Sequence, residues 1–224
     1  MKFIITDIEH IEDATGLVVV IDVLRAFSTI CYAFHNNVNS VIPVETIEEA
    51  LNIRKDHIDY LLLGERFGKP VEGFDYSNSP AQIEHVDFSK HTIIMTTSQG
   101  TKGIVRSTHA DEIITGSFVN SGAIGKYINY KKPHIVSFVC TDSSYPDNED
   151  YLCASYIQSI IERAPMNFDT IIAHLKKHPC TDGFLRTPLT SSSKEDFHLC
   201  LKDSIFPFVI QVKKIDGILH LLKL

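Results

Sequence analysis

The chain has 224 residues, of which 44% are hydrophobic and 22% are charged, and its formal net charge is −7. These values are ordinary for a globular protein with one sizeable α/β core, and they exclude an intrinsically disordered chain. Because the protein is acidic and has no run of Lys or Arg, we expect neither nucleic acid nor an anionic membrane as its partner. An anionic substrate would need local cations or a metal ion.

The N-terminus and the cysteines predict a cytoplasmic protein. Asp7 and Glu9 come too early for the apolar segment of a secretory signal, and no uninterrupted apolar stretch approaches the length of a membrane span. The five cysteines form no C-x-x-C pair, and an odd number of them in apolar patterns is typical of reduced core thiols. We assign them no catalytic role.

After a short predicted strand at residues 3–6, the segment 17–34 has the pattern of a strand, a turn and a helix. Residues 17–21 form a continuous aliphatic run, typical of a strand covered on both faces in a parallel sheet. Apolar residues at positions 27, 30, 31 and 34 then form one stripe of a helix. Asp22 and Arg25 lie in the turn, at the strand end where ligands bind in open α/β sheets. A helix cap with an arginine partner explains the turn equally well.

The rest of the chain continues to alternate strands with helices. Further strands are predicted at residues 41–44, 60–63, 92–95, 112–115 and 134–140. Helices are predicted at 46–53, around 104–105, at 121–130, across 153–164, at 168–177 and at 194–201, with a polar loop at 181–193. Thr46 and Glu49 form a capping box at the first of these helices. Residues 206–212 and 218–222 have the pattern of a closing hairpin with Asp216 and Gly217 in its turn.

These elements predict an α/β fold with a mostly parallel central sheet flanked by helices, followed by a C-terminal helical segment and the hairpin. We expect residues 1–164 to form the main domain with the active-site cleft. Residues 165–224 should pack on the same core, so that the chain forms one structural unit. Self-association into a homo-oligomer is a further expectation.

The segment 64–80, GERFGKPVEGFDYSNSP, is a long irregular stretch rich in Gly, Pro and charged residues. Long irregular loops in small domains are usually functional or disordered. Its aromatic and apolar members argue against disorder, and they could anchor the loop over a pocket. We favour a functional loop over a purely structural Ω-loop.

Polar turns follow several of the predicted strands. They contain Asp22, Glu65 with Arg66, Thr96 with Thr97, Ser117, and Asp142. In a parallel sheet these turns lie at one edge, which would gather carboxylates, arginines and hydroxyls around one cleft. Carboxylates without paired His or Cys suit Mg²⁺ rather than zinc. The residues alone therefore predict a phosphate-binding or carboxylate-binding α/β enzyme, assisted by a metal ion.

Five segments in the same order resemble the 2-phosphosulfolactate phosphatase family (ComB-like). They are VVVIDVLRAFST, GERFGKPVEGFDYSNSP, TTSQGT, GSFVNSGA and the Glu149–Asp150 pair, and the resemblance covers residues 18–156. It implies a Mg²⁺-dependent phosphatase that hydrolyses 2-phospho-3-sulfolactate to 3-sulfolactate and phosphate, as in coenzyme M biosynthesis. The small anionic phosphoester would be the partner of the site.

The resemblance also implies roles for individual residues. The catalytic pair would be Asp22 and Arg25. Substrate would be bound by Arg66, Asn78, Thr96, Thr97, Gly100, Thr101, Ser117 and Asn120. Mg²⁺ would be held by Asp22 and Asp75, with Glu65, Glu149 or Asp150 completing or orienting the set of ligands. Whether water or a side chain attacks phosphorus stays open, with Asp22 as the one covalent nucleophile considered.

Four features depart from the family pattern. Phe27 replaces a small hydroxyl residue, Ser77 replaces Gly, Gln99 replaces Asn, and residues 141–148 lack the expected glycines. A bulky Phe27 beside Arg25 would narrow the pocket. The departures keep open a phosphatase for another small phosphoester, and a non-catalytic anion-binding or regulatory module.

Overall fold

The computed structural model describes residues 1–164, 166–188, 190 and 193–224. Its strands are β1 (Lys2–Asp7), β2 (Gly16–Ile21), β3 (Ser40–Pro43), β4 (Leu61–Arg66), β5 (Lys69–Pro70), β6 (Tyr76–Ser77), β7 (Thr92–Thr96), β8 (Ala110–Gly116), β9 (Ile135–Cys140), β10 (Ile210–Ile215) and β11 (Ile218–Lys223). Its helices are α1 (Ala26–His35), α2 (Ile47–Asp56), α3 (Pro80–Ile83), α4 (Gly100–Arg106), α5 (Ser121–Lys131), α6 (Glu149–Ile161), α7 (Phe168–Leu175), α8 (Asp182–Leu185) and α9 (Ser193–Cys200). Short 3₁₀ helices cover Ile8–Asp13, Phe118–Asn120 and Pro179–Thr181.

The strands form one mixed sheet flanked by helices, in the order β1-β9-β2-β8-β10-β11-β3-β7-β4-β5, with β6 beside β4. Pairing is parallel from β1 through β9 and β2 to β8, and again among β3, β7, β4 and β6. The predicted α/β class and the C-terminal hairpin are confirmed. The hairpin does not close one edge of the sheet, because β10 pairs with β8 and β11 pairs with β3 in its middle.

This placement of the hairpin makes the two parallel halves run in opposite directions. Each of the three pairings from β8 through the hairpin to β3 is antiparallel, so the strand direction reverses three times. The expectation that all strand-end turns share one edge of a parallel sheet is therefore wrong across the whole sheet. It holds within each half, and the two sets of turns meet at the N-terminus of α1.

Helix α1 is the central element of the core. Every residue from Ala26 to Phe34 is buried, and the helix packs in one apolar cluster with residues of β2, β4, β7 and the C-terminal hairpin. Phe27 is fully buried in that cluster and does not line the cleft. The prediction that Phe27 narrows the pocket is therefore wrong, since its place on the apolar stripe turns the ring into the core.

Other local predictions compare with the structure as follows. The capping box of Thr46 and Glu49 begins α2 as predicted. The irregular segment 64–80 is more ordered than expected, because it contains the end of β4 together with β5 and β6. The polar loop predicted at 181–193 includes residues 189, 191 and 192, which lie outside the described residues, and its beginning forms α8. The domain boundary is predicted between residues 164 and 165. Residue 165 lies outside the described residues, and the boundary stays a prediction.

Two further observations concern cysteines and membrane segments. All five cysteines are free, and Cys31, Cys140, Cys153 and Cys200 are buried, which confirms the expectation of core thiols. No helix among the described residues combines the length and apolar character needed to cross a bilayer.

Candidate active site

A cleft of about 230 Å³ opens where the turns after β2, β4, β7 and β9 meet the N-terminus of α6. Its walls contain Asp22, Leu24, Arg25, Glu65, Phe67, Gly68, Asn78, Ser98, Gln99, Thr141, Asp142, Glu149, Asp150 and Phe184. Five of these side chains are carboxylic acids. Among the described residues that line the cleft, Arg25 is the sole cationic side chain.

Asp22 lies between the end of β2 and the first turn of α1. Its Oδ1 accepts a hydrogen bond from the backbone N–H of Ala26, the first residue of α1, at 2.8 Å. The N-cap position itself is Arg25, which pairs with Asp196, so the cap with an arginine partner considered from the sequence is present only in part. Burial raises the pKa of Asp22 to about 6; the nearby Glu65 and Asp142 also raise it, while the Ala26 bond opposes the rise. The Thr141 side chain also hydrogen-bonds to the Asp22 carboxyl group, and Oδ2 lies on the side of Gly100.

Glu149 occupies the first turn of α6, which begins at the Asn148 cap. Its side chain is buried, and Oε2 has no hydrogen-bond partner. The Cys180 thiol hydrogen-bonds to the same carboxyl group. Burial raises the pKa of Glu149 to about 7, and repulsion from Asp142 and Asp22 adds to the rise. A buried carboxyl oxygen without a partner is costly unless a proton or a cation is present.

Asp150 is also buried, but its oxygens are occupied by backbone N–H groups. Oδ1 accepts from Val23 N at 2.9 Å, and Oδ2 accepts from Thr141 N at 3.0 Å and Asp142 N at 3.1 Å. Burial, followed by repulsion from Glu149 and Asp22, raises the pKa of Asp150 well above its usual value. Asp150 therefore holds the turns after β2 and β9 together.

Glu65 joins two other turns in the same way. Oε1 accepts from Ser98 N at 2.6 Å, and Oε2 accepts from Gly68 N at 2.7 Å and from Ser98 Oγ at 3.1 Å. These bonds connect the β4–β5 turn with the turn between β7 and α4. Glu65 lines the cleft as predicted, and its hydrogen bonds are those of a residue that fixes loop positions.

Arg25 reaches the cleft from the turn before α1. Its Nη1 donates to Asp196 Oδ2 at 2.6 Å, and its Nη2 donates to the Gly68 carbonyl at 3.3 Å. The guanidinium carbon lies 5.6 Å from the centre of the Phe184 ring. Asp196 and Phe184 come from the C-terminal helices, so that segment completes the surroundings of Arg25.

Asn78 and Gly100 also lie at the site, as predicted. Asn78 lines the cleft, is buried, and has no hydrogen-bond partner at Oδ1. Gly100 lies so close to Asp22 that a Cβ atom would stand 2.6 Å from Asp22 Oδ2. Gly100 thus provides space for the carboxylate, and Asn78 provides a free carbonyl oxygen.

The structure does not bring Asp75 to the cleft. Asp75 is exposed, and its Oδ2 accepts from Leu62 N at 2.7 Å, near the beginning of β4. Glu65 lies near the other end of the same strand. The prediction of Asp75 as a ligand beside Asp22 is therefore not supported, because the segment 71–75 returns along β4 before β6 begins.

Arg66 and Thr96 point away from the cleft and contact each other. Arg66 donates to Thr96 Oγ1 at 2.6 Å and to the carbonyls of Glu45 and Glu65. Successive side chains of a strand point to opposite faces, so Glu65 and its neighbour Arg66 do not share a surface. The predicted anion clamp of two arginines is therefore not formed, and Arg66 lines an adjacent surface with Lys102.

The remaining predicted binding residues fold back on their own turns. Thr97 and Thr101 exchange hydrogen bonds between backbone N–H and hydroxyl groups, each at 3.2 Å. Asn120 Oδ1 accepts from Ser117 N at 3.0 Å, and both residues are fully buried. None of these four side chains lines the cleft. A hydroxyl-rich turn before a helix therefore has a capping role here.

Several residues of the site lay outside the predicted set. Asp142 follows β9 and was among the polar strand ends, although no role was assigned to it. Thr141, Ser98 and Gln99 lie next to predicted positions and could have been found by extending each turn. Phe184 and Asp196 had no signal in the sequence, because only the packing of the C-terminal helices brings them to Arg25.

The oxygen atoms of the cleft could hold a hard divalent cation such as Mg²⁺. Glu149 Oε2 and Asn78 Oδ1 are buried oxygen acceptors without partners, and Asp22 and Glu149 have raised pKa values because their charges are buried together. No three carboxylates of the cleft converge as closely as a closed cage would require. This arrangement suits Mg²⁺, which typically binds one or two carboxylates and keeps several waters.

A second titratable cluster lies outside this cleft. Among the described residues, the only three His, Cys, Asp or Glu side chains with ligand atoms all within 4.8 Å of one another are Asp147, His174 and His178. Cys180 N donates to His178 Nδ1 at 3.2 Å, so Nε2 carries the ring proton and donates to Asp147. The Nε2 atom is therefore a hydrogen-bond donor in this arrangement and does not offer a lone pair to a metal.

Comparison with known proteins places the chain in a family. The family model described as 2-phosphosulpholactate phosphatase matches residues 3–214. A protein of Thermotoga petrophila named probable 2-phosphosulfolactate phosphatase is 39% identical over 203 residues, which are 85% of this chain and 86% of that protein. A protein of Clostridium acetobutylicum with the same name is 33% identical over 189 residues, covering 84% of this chain and 75% of the relative. The chain belongs to the 2-phosphosulpholactate phosphatase family.

Proposed function

We propose that this protein is a phosphoric monoester hydrolase that converts 2-phospho-3-sulfolactate to 3-sulfolactate and phosphate with the help of Mg²⁺. Membership in the family supports the substrate and the reaction. The composition of the cleft supports the need for a divalent cation. The expectations of cytoplasmic location and self-association remain predictions.

The observation that carries this proposal is the imbalance of charge in the cleft. Five carboxyl groups and one guanidinium line it, and the guanidinium is already paired with Asp196. The substrate carries a phosphate, a carboxylate and a sulfonate, all anionic. Because like charges at close range repel strongly in a partly buried site, the acids must be neutralised before such a substrate binds.

Asp22 and Glu149 are the residues we expect to hold the ion. Glu149 Oε2 is buried without a hydrogen-bond partner. The Asp22 carboxylate lines the same cleft and carries hydrogen bonds from Ala26 N–H and the Thr141 side chain. Asn78 Oδ1 and Asp142 offer further oxygen atoms at the same cleft. Glu65 and Asp150 bind backbone N–H groups and orient the turns around them. When bound, Mg²⁺ would neutralise these carboxylates and stabilise charge on phosphoryl oxygens.

Arg25 is the residue we expect to bind the anionic substrate directly. Its guanidinium lines the cleft, and its planar set of N–H groups matches the oxygens of phosphate, sulfonate or carboxylate. Asp196 and Gly68 each take one N–H group, so the others remain for the ligand. Asp22 stays the candidate for covalent attack on phosphorus, and attack by water is the alternative.

Phosphate release from 2-phosphosulfolactate tests the proposal. The assay should include a panel of small phosphoesters without the sulfonate, each measured with Mg²⁺ and with EDTA. The proposal expects fastest release from 2-phosphosulfolactate and loss of release in EDTA. Faster Mg²⁺-dependent release from another phosphoester would support the phosphatase reaction but assign a different substrate. Gln99, which replaces the family's Asn, lines the cleft and could contribute to such a difference. No release from any compound by folded protein would contradict both enzymatic functions.

A further inference from the structure

Helix α9 supplies a buried carboxylate to the back of the cleft. Asp196 is fully buried, and its Oδ2 accepts from Arg25 Nη1 at 2.6 Å. Its other oxygen, Oδ1, accepts from Ser79 Oγ at 2.6 Å and from Ala81 N at 3.1 Å. One side chain therefore connects the turn after β2, the segment next to Asn78, and the C-terminal helix.

Asp196 is linked to two residues that line the cleft: it bonds directly to Arg25, and it bonds to Ser79, the residue after Asn78. Arg25 lines the cleft, and Asn78, which directly precedes Ser79, lines it with an unpartnered Oδ1. Asp196 itself does not line the cleft. Asp196 therefore has no direct contact with a ligand in the cleft, and it reaches the ligand's surroundings through Arg25 and the Asn78 segment.

Stability alone does not explain this ion pair. Burying an arginine and an aspartate costs desolvation, and well-packed apolar residues of similar size often give equal or greater stability. Pairing does hold a long arginine side chain in one geometry, and the Phe184 ring and the Gly68 carbonyl limit it further. An arginine fixed in advance loses less conformational freedom when an anion binds.

We propose that Asp196 is a positioning residue, which holds Arg25 and the Asn78 segment in the arrangement that binds the anionic group of the substrate. This inference rests on the proposed function for the identity of that substrate. It goes further in assigning to the C-terminal helix a part in anion binding. The prediction concerns affinity for an anion, and it can be measured without turnover.

Calorimetric titration with inorganic phosphate in the presence of Mg²⁺ provides the test. Asp196→Asn keeps an oxygen that can accept from Ser79 and Ala81 but removes the charge opposite Arg25. We expect phosphate affinity to fall about 10- to 100-fold, with a similar rise in KM, because small misplacement of a binding group has effects of this size. The matched control is Asp203→Asn, which removes a C-terminal carboxylate bonded to Ser121 and Tyr156 outside the cleft. Its affinity for phosphate should equal that of the wild type.

A double-mutant cycle separates positioning from general support of the fold. If Asp196 acts mainly through Arg25, adding Asp196→Asn to Arg25→Gln should change phosphate affinity by less than about twofold. If Asp196→Asn alone fails to fold, Arg25→Gln can still be compared with the double variant, which has neither buried charge.

The outcomes divide clearly. Unchanged phosphate affinity in folded Asp196→Asn, an equal loss in Asp203→Asn, or no phosphate binding by the wild type would each overturn the positioning role. Additive losses in the cycle would overturn the part of that role that acts through Arg25. If the wild type binds phosphate but hydrolyses no phosphoester, and Asp196→Asn still weakens binding, the proposed function fails while the positioning role stands.

Discussion

Asp22 and Gly100 approach each other so closely that a methyl group on Gly100 would lie 2.6 Å from Asp22 Oδ2 and 2.8 Å from Ala26 Cβ. Gly100 begins α4, whereas Asp22 begins the turn between β2 and α1. The contact therefore joins the two opposed halves of the sheet at the cleft. It requires a residue without a side chain at position 100.

Gly100→Ala should lower both stability and activity. The new methyl group would displace the Asp22 carboxylate, and overpacking of this kind costs about 1–3 kcal/mol of unfolding free energy. Denaturant unfolding measures the loss, and phosphate release measures the activity. Gly122→Ala is the control, because its methyl group would meet the Ser204 side chain outside the cleft. Full activity in folded Gly100→Ala would show that Asp22 tolerates displacement.

Asn120 should act on stability and leave catalysis unchanged, although the sequence placed it in the substrate site. Its side chain satisfies the buried N–H of Ser117, and removal of such a partner costs about 1–3 kcal/mol. Asn120→Ala should unfold at lower denaturant with kcat/KM near the wild-type value. Asn129→Ala, at an exposed position of α5, should cost less. A loss of more than about tenfold in kcat/KM in folded Asn120→Ala would return Asn120 to the site.

The raised pKa values predict an unusual dependence of stability on pH in protein without divalent cations. Asp22 and Glu149 have ordinary values of 3.8 and 4.5 when unfolded and about 6 and about 7 when folded. Between these values the folded state binds more protons than the unfolded state, so their contribution to stability falls as pH rises from about 4 to about 7. Below about pH 4 both carboxyl groups are protonated in the folded and the unfolded state. Above about pH 7 both are charged, and the folded state carries the full cost of burying the two charges.

Mg²⁺ should relieve this penalty most where the acids have lost their protons. We expect the rise in melting temperature caused by Mg²⁺, relative to EDTA, to be larger at about pH 8 than at about pH 5. Thermal unfolding in both buffers provides the measurement. In Glu149→Gln the Mg²⁺ effect should shrink at the higher pH. A Mg²⁺ effect that is equal at both pH values would contradict this assignment of the acids.

The sequence predicted the parts of the fold whose signals are local. The aliphatic run before Asp22, the capping box at Thr46 and the Asp216–Gly217 turn each depend on a few adjacent residues, and the structure contains all three. The position of the hairpin depends on which strands accept it as a neighbour. No periodicity in residues 206–222 carries that information, so the reversal of the second half of the sheet was not predictable.

The same division applies to the candidate site. Asp22, Arg25, Glu65, Asn78, Glu149 and Asp150 reach the cleft as the motifs indicated. The motifs do not indicate which of their side chains face the cleft and which face away from it. Glu65 and Arg66 are adjacent, yet strand alternation gives them different surfaces. Asp75 belongs to the same motif as Asn78, but it accepts a hydrogen bond from the backbone N–H of Leu62 in β4 and does not reach the cleft. Asp196 needed the tertiary packing of α9.

The paired substitutions Asp22→Asn and Asp75→Asn test the central claim most directly, because both acids were predicted metal ligands and only Asp22 lies in the cleft. Asn at either position keeps an oxygen that can accept the Ala26 or Leu62 hydrogen bond, so both variants should fold. The measurement is Mg²⁺-dependent phosphate release from 2-phosphosulfolactate. We predict a loss of about 100- to 1,000-fold in kcat for Asp22→Asn, the size of effect seen when a preorganised electrostatic group is removed, and wild-type activity for Asp75→Asn. Full activity in Asp22→Asn, or an equal loss in Asp75→Asn, would contradict the assignment of this cleft as the catalytic centre.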